Sequence, residues 1–220
     1  MIPVQDIIDR VADLLLDTDR GVDEARWIDA ELLRWVNDSR MAILTRRPAA
    51  CAKIANFTLV AGTHQAIPAD GVQLLDVIRN MGTGGATPGR SIRRTDRQNI
   101  DDYDQYWHMA TPSAEISQFT YDDRMPKNFF VLPPAVAGTQ IQGAYVAIPA
   151  AVTALTDNLD LALENMDAVV NYICYRAKSK DSEYANAAEA AAFYGAFNDA
   201  LGVTQQGQMA ASPNQPGNSV

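Results

Sequence analysis

The hydrophobic period of this 220-residue chain changes twice, and nothing else in the sequence restricts the fold as much. Both ends repeat apolar residues every three to four positions, the spacing of one helical face. The middle alternates and is cut by turn residues, the signature of strands. Val4, Ile7, Ile8, Val11, Leu14 and Leu15 form one stripe, which predicts a helix over residues 3–17. Pro3 suits its first turn, where the missing N–H costs nothing. "DTDRGVD" breaks the pattern. Asp23 then reads as a cap, and Glu24 suits the positive end of a second helix over residues 24–46. Ile28, Leu32, Trp35, Ser39 and Ala42 share its stripe, with Trp27, Leu33 and Val36 beside it. Pro48 ends it.

The middle begins with "FTLVAGTHQAIPADGVQLLDVIRNMG", an extended stretch, a turn and a second extended stretch, which reads as a β hairpin. "GTGGATPG" is a loop by composition, "SIRR" a short strand, and "TDRQNIDDYDQYW" a short helix. "AEISQFTYD", "KNFFVLPP" and "TQIQGAYVAIP" are strand-like. Together they predict one antiparallel sheet of roughly four to six strands. The helical period returns near residue 164, with Met166, Val169, Val170, Ile173, Cys174 and Ala177 on one face. After the joint "KSKDS", an alanine-rich helix is expected over residues 182–201, burying Tyr184, Ala188, Ala191, Phe197 and Leu201. Gly202 is a fitting C-terminal cap.

The expected fold is therefore α+β. Residues 1–53 and 151–202 supply a four-helix bundle built from both chain ends. Residues 54–150 are an inserted antiparallel β segment. Residues 203–220, nearly without apolar side chains, form an extended C-terminal tail that does not fold alone.

Charge narrows the partners. The chain carries 27 acidic and 18 basic residues, a net charge of −9. A surface this acidic repels free nucleic acid and anionic membranes. No apolar run approaches the ~18 residues of a membrane span. "MIPVQDIIDR" has no basic region followed by an apolar one, so no signal peptide is expected. Cys51 and Cys174 are expected as reduced core thiols.

No residue set for catalysis, cofactor or metal emerges. "GTGGATPG" lacks the Lys-Ser/Thr a phosphate loop needs. Asp101, Asp102 and Asp104, and separately Asp122 and Asp123, could ligate a metal. Adjacent aspartates point to different faces, however, so a solvated face is the simpler reading. His64 and His108 have no ligand-spaced neighbours. Trp27, Trp35 and Trp107 read as core or interface anchors. Arg90, Arg93, Arg94 and Arg97 make a basic cluster in an acidic chain. They pair with the "DDYD" that follows, or they meet an acidic partner or DNA phosphates. Gly84 and Gly85 in the loop, Arg90, Arg93 and Arg94 beside it, and Met209 and Val220 in the tail are the candidate partner contacts.

Six segments follow one another in a familiar order: "WIDAELLRWVNDSRMAILTRRPAA", the "FTLV…RNMG" stretch, "GRSIRRTDRQNIDDYDQYW", "FTYDDRMPKNFFVLPP", "VAIP" and "VVNYICYRAKSKDSEYANAAEAAAFYGAFNDALG". Over residues 1–203 this order resembles tailed-phage head-to-tail adaptor proteins, including relatives of the tail tubular protein A type. The resemblance implies a non-enzymatic virion protein that forms a ring of about twelve copies. The ring sits at the neck between the portal protein and a tail nozzle or tail tube protein, after assembly in the host cytoplasm. Double-stranded DNA leaves through its channel without specific binding. The helical part packs around the ring and the β part faces the next tail component. Two rivals remain: a nucleic-acid-binding virion or packaging protein using Arg90–Arg97, and a small hydrolase using Asp101 or Asp123 with a metal.

Overall fold

The computed structural model describes residues 1–17, 26–180 and 185–210. The chain forms two compact units, one of residues 1–50 and 149–220 and one of residues 51–148.

The first unit is mainly helical. Strand β1 (Ile2–Pro3) pairs with β10 (Asn158–Leu159), and α1 (Val4–Leu15) follows directly. α1 buries Val4, Ile7, Ile8, Val11 and Leu15 as its stripe predicts, while Leu14 stays half exposed. It ends at Leu16, whose left-handed backbone (φ 55°) turns the chain so that the Asp17 N–H reaches the Ala12 carbonyl at 2.9 Å. α2 (Asp29–Arg46) starts later than expected, behind an extended Ile28. The anticipated Asp23 cap lies outside the described residues. The last two helices of the chain, labelled α4 (Met166–Ser179) and α5 (Ala187–Ala210), complete the unit.

α4 is the hub, packing against α1, α2 and α5. Its predicted face, Met166, Val169, Val170, Ile173, Cys174 and Ala177, is buried throughout. Tyr172 and Tyr175 meet Phe197 and Tyr194 of α5 at ring-centroid distances of 5.2 and 4.9 Å. The Arg46 guanidinium lies 5.5 and 5.0 Å from the Tyr194 and Phe197 rings and donates to the Tyr194 hydroxyl. Asn37 of α2 holds the returning chain, donating to the Val152 carbonyl (2.8 Å) and accepting from its N–H (3.0 Å). Both cysteines are buried thiols, and no disulfide joins them.

The expected four-helix bundle does not describe the protein, which is mixed α+β and rich in sheet. Periodicity identifies the stripes that α1 and α4 bury, but not which neighbour covers them. It misplaces parts of the other two: Ile28 is 60% exposed, Ala188 and Ala191 are exposed where Ala190 is buried, and Tyr184 lies outside the described residues. The expected stop at Gly202 also fails, because α5 runs through it to Ala210. One glycine costs a helix only about 1 kcal/mol, and the alanines and glutamines around it are good helix formers. The expected extended tail therefore begins no earlier than residue 211, and residues 211–220 lie outside the described residues.

The second unit is a sandwich of two four-stranded sheets. β2 (Ala52–Thr58), β4 (Gly71–Met81), β5 (Pro88–Ser91) and β9 (Gln140–Ala147) form one, in the order β2-β9-β4-β5. β3 (Gly62–Ala66), β6 (Arg93–Arg94), β7 (Gln118–Tyr121) and β8 (Asn128–Ala135) form the other, in the order β3-β8-β7-β6. The strand predictions are met, but the single antiparallel sheet is replaced by two, and β6 pairs with β7 in parallel.

The apparent hairpin from Phe57 to Gly82 is not one. β2 and β4 both flank β9, while β3 between them belongs to the opposite sheet. Alternating consecutive strands between layers lets both faces share one core. Phe57, Leu74, Val77, Ile141 and Tyr145 from the first sheet meet Phe119, Phe129 and Val131 from the second.

Two buried amides fasten the layers. The Gln65 side chain donates to the Val60 and Gly62 carbonyls and accepts from the Val60 N–H, each at 2.9 Å, closing the β2–β3 turn. Asn80 of β4 donates to the Arg90 and Ile116 carbonyls at 3.0 and 2.7 Å and accepts from the Ile116 N–H at 2.8 Å.

Candidate partner surface

The glycine-rich loop is the turn between β4 and β5. It is closed by the Gly82 N–H on the Thr87 carbonyl at 2.7 Å. Gly84 (φ 73°) and Gly85 (φ 74°) both take the left-handed backbone that side chains rarely adopt. Gly84 faces open space, whereas a Cβ on Gly85 would lie 2.7 Å from the Asn56 amide nitrogen. That amide donates to the Gly85 carbonyl at 2.9 Å, so the turn is fastened to β2 within its own unit.

The arginines divide into two kinds. Arg90 faces Glu115 at 3.7 Å, and Arg97 faces Asp101 at 3.3 Å. Only the second pair uses the "DDYD" carboxylates. Arg93 and Arg94 occupy β6, an exposed edge of the second sheet, and form no ion pair among the described residues. The Arg94 guanidinium sits 5.9 Å from the centre of the Tyr121 ring.

The segment after these arginines crosses the second sheet. The Thr95 N–H reaches the Phe119 carbonyl of β7 at 2.9 Å. Asp96 caps α3 (Arg97–Tyr103) by accepting from the Gln98 N–H at 2.9 Å. The 3-10 turn Trp107–Met109 follows. Trp107 is almost wholly buried against Phe130 of β8, with ring centroids 6.3 Å apart, and its indole N–H donates to Asp101 at 2.8 Å. His108 stacks on Trp107 at 3.6 Å and hydrogen-bonds the Thr63 hydroxyl of β3 at 2.8 Å. The Trp107 hydrogen bond, foremost, and Arg97 hold the Asp101 carboxyl below its ordinary range, against the opposing effect of partial burial.

This scaffold presents Tyr103, Tyr106 and Met109 outward, 94%, 73% and 82% exposed. Asp102 and Asp104 stand beside them, also exposed, and Asp104 accepts from the Tyr106 N–H at 2.9 Å. Sequence reading missed this feature. The only signal was the density of aromatic and acidic residues in "DDYDQYWHM", which periodicity does not score.

At the other end of α3 lies an open groove of about 790 Å³. Arg94, Arg97 and Arg124 line it with Tyr121, Met125 and Phe130. Asp96, Asp122 and Asp123 line it too, but Asp96 and Asp122 are engaged in accepting the Gln98 and Arg124 backbone N–H groups. Among the described residues no group of three or more His, Cys, Asp or Glu is placed to hold a metal ion. Met209 lies in the last turn of α5, and Val220 lies outside the described residues. No described helix is long and apolar enough to cross a membrane.

Charge is divided unevenly between the units. The helical unit carries 18 acidic and 10 basic residues, a net −8, and the sheet unit 9 and 8, a net −1.

The chain belongs to the SU10 adaptor protein family, whose model matches residues 2–217. It is thus a structural adaptor protein of a tailed-phage virion, the head-to-tail class that its sequence order resembles. No curated protein matches the chain. Among solved structures, a chain in "Neck of empty GTA particle computed with C6 symmetry" is 17% identical, with 84% of this chain and 81% of that chain covered and a TM-score of 0.28. A TM-score that low carries no inference about this protein.

Proposed function

We propose that this protein forms a closed ring at the neck of the particle, between the portal protein and a tail nozzle or tail tube protein. The ring holds about twelve copies. Its opening passes double-stranded DNA without binding it specifically. The protein belongs among relatives of the tail tubular protein A type and is in the host cytoplasm during assembly. It works by shape and contact rather than by turnover.

The observation that carries this reading is the adaptor-family match, which spans nearly the whole chain. The charge division supports it further. A helical unit of net −8 suits a wall past which DNA slides, because like charge keeps the phosphates from adhering. The chain from Met209 onward serves as a strap on the portal or a neighbouring copy, with Met209 and Val220 among its contacts. Gly84, Gly85 and Arg90 are further contacts at the β4–β5 turn.

The nucleic-acid-binding alternative draws on Arg90–Arg97. It is weakened by the carboxylates that already face Arg90 and Arg97. Electron cryomicroscopy of the particle is the test. A ring of this chain between portal and tail is the expected result. Finding the chain only in the head shell, or absent from the finished particle, would refute the proposal.

A further inference from the structure

The ring reading leaves open which surfaces meet when one copy follows another. A closed ring needs a heterologous contact, in which two different patches of the same chain are complementary. We propose that both patches lie on the second sheet. The Tyr103–Met109 projection of one copy, at the β3 edge, docks on the arginine edge, β6, of the next.

Three observations carry this. The first is position. β3 and β6 are the two opposite edges of the sheet β3-β8-β7-β6, three strand spacings or roughly 14 Å apart. The crossing segment leaves β6 at Thr95 and is fastened at β3 through His108 and Thr63. The projection and the arginines are therefore carried at opposite edges of one sheet, as head-to-tail repetition requires.

The second is charge. Asp102 and Asp104 flank the projection, and neither forms an ion pair among the described residues. Arg93 and Arg94 at the far edge are the two arginines of the cluster that form no ion pair among the described residues, although Asp123 also lines the groove beside Arg94. Each patch thus lacks what the other supplies. A second copy is the fitting occupant, because it brings the missing charge in the matching place.

The third is chemistry and room. Tyrosine and methionine are enriched at protein interfaces, and a cluster of large exposed side chains marks an interaction site. The burial of Trp107 and the hydrogen bonds of Asp101, Asp104 and His108 hold the projection in place, so little ordering cost remains for binding. The groove beside Arg94, with Tyr121, Met125 and Phe130 in its wall, offers about 790 Å³ to receive an aromatic side chain.

A charge exchange in the full-length chain tests the contact, which rests on the ring reading. One variant, Asp102→Arg with Gln105→Arg, makes the projection basic and leaves the Asp104 cap intact. A second, Arg93→Glu with Arg94→Glu, makes the edge acidic. All these residues are exposed, so both variants keep the wild-type circular dichroism and melting temperature. Mass distributions are measured by sedimentation over a range of concentrations. The wild type is expected to associate. Each variant alone is expected to weaken association at least roughly tenfold. An equimolar mixture of the two is expected to regain it, since a basic projection then meets an acidic edge and an acidic projection a basic one. If the wild type associates and either variant alone does so equally well, or the mixture fails to recover, the proposed contact is overturned while the ring stands. A wild type that stays monomeric at its highest attainable concentration counts against the ring reading itself.

Discussion

Asn80 offers the sharpest test of how the sheet unit is held together. Its side chain is 5% exposed and makes three hydrogen bonds, two to the backbone of Ile116 and one to the Arg90 carbonyl. Ile116 is itself wholly buried, so removing the amide strands its N–H and carbonyl away from bulk solvent. In Asn80→Ala, three bonds worth about 1 kcal/mol each disappear, and the stranded Ile116 N–H and carbonyl add a further 1–2 kcal/mol. The expected loss is about 4–5 kcal/mol, a large share of the roughly 5–15 kcal/mol that holds an ordinary domain. Asn80→Leu, which fills the volume without the bonds, should cost nearly as much, because hydrogen bonding rather than packing is removed. Asn80→Asp should be worse still, since a buried carboxylate would face two carbonyls. Urea denaturation followed by hydrogen-exchange mass spectrometry reads the sheet unit separately from the helices. If Asn80→Ala shifts the sheet unit by less than about 1 kcal/mol and Ile116 keeps its amide protection, the strut is not what joins β4 to the 113–117 segment.

Gly85→Ala should lose about 1–3 kcal/mol, because it meets both a left-handed backbone and the Asn56 amide, and Gly84→Ala less, since only the backbone objects; paired thermal melts decide between them. Alkaline pH should destabilise both units. Burial pushes the Cys174 thiol up to about 12, and burial with the neighbouring Asp70 raises the Tyr145 hydroxyl to about 12. Their protons leave the unfolded chain first, so stability falls as pH rises from about 9 for the thiol and about 10 for the phenol towards 12. Denaturation midpoints from pH 8 upward should drop in wild type and flatten in Cys174→Ala and Tyr145→Phe; an unchanged slope would show these groups ionise freely in the fold. Deleting residues 211–220 should leave the melting temperature unchanged while weakening capture by portal-bearing heads, and equal capture would rule out a strap.

Residue period was enough to read two of the helices well and the other two only in part. The buried stripe of α4 and the run of α1 follow from spacing alone, because each helix presents one face to a core whatever covers it. Partners were harder to read than elements. Nothing in "FTLVAGTHQAIPADGVQL" tells β3 to leave β2 for the opposite sheet, since both strands alternate in the same way and only tertiary pairing separates them. The end of α5 was misread for a local reason: glycine is a common stop, but the sequence beyond Gly202 is not hostile to a helix. The candidate surface was half legible. Arg93 and Arg94 stood out as excess charge. Tyr103, Tyr106 and Met109 did not, because a large side chain on a short segment looks like core until Trp107, one to four residues away, is seen to take that role.

Because residues 51–148 of the sheet unit fall between the two segments of the helical unit in the sequence, synthesis sets an order in time. α1 and α2 leave the ribosome first, yet α4, on which both pack, begins only at Met166. At roughly 5–20 residues per second, the stretch from Arg46 to Met166 takes about 6–24 s to synthesise. Throughout that interval the apolar stripe of Ile7, Ile8, Val11 and Leu15 has no α4 to cover it. Closure of the helical unit on α4 therefore cannot precede the synthesis of residues 166–179. The sandwich, whose strands β2 and β9 are both made before α4, can finish its core while the ends still wait.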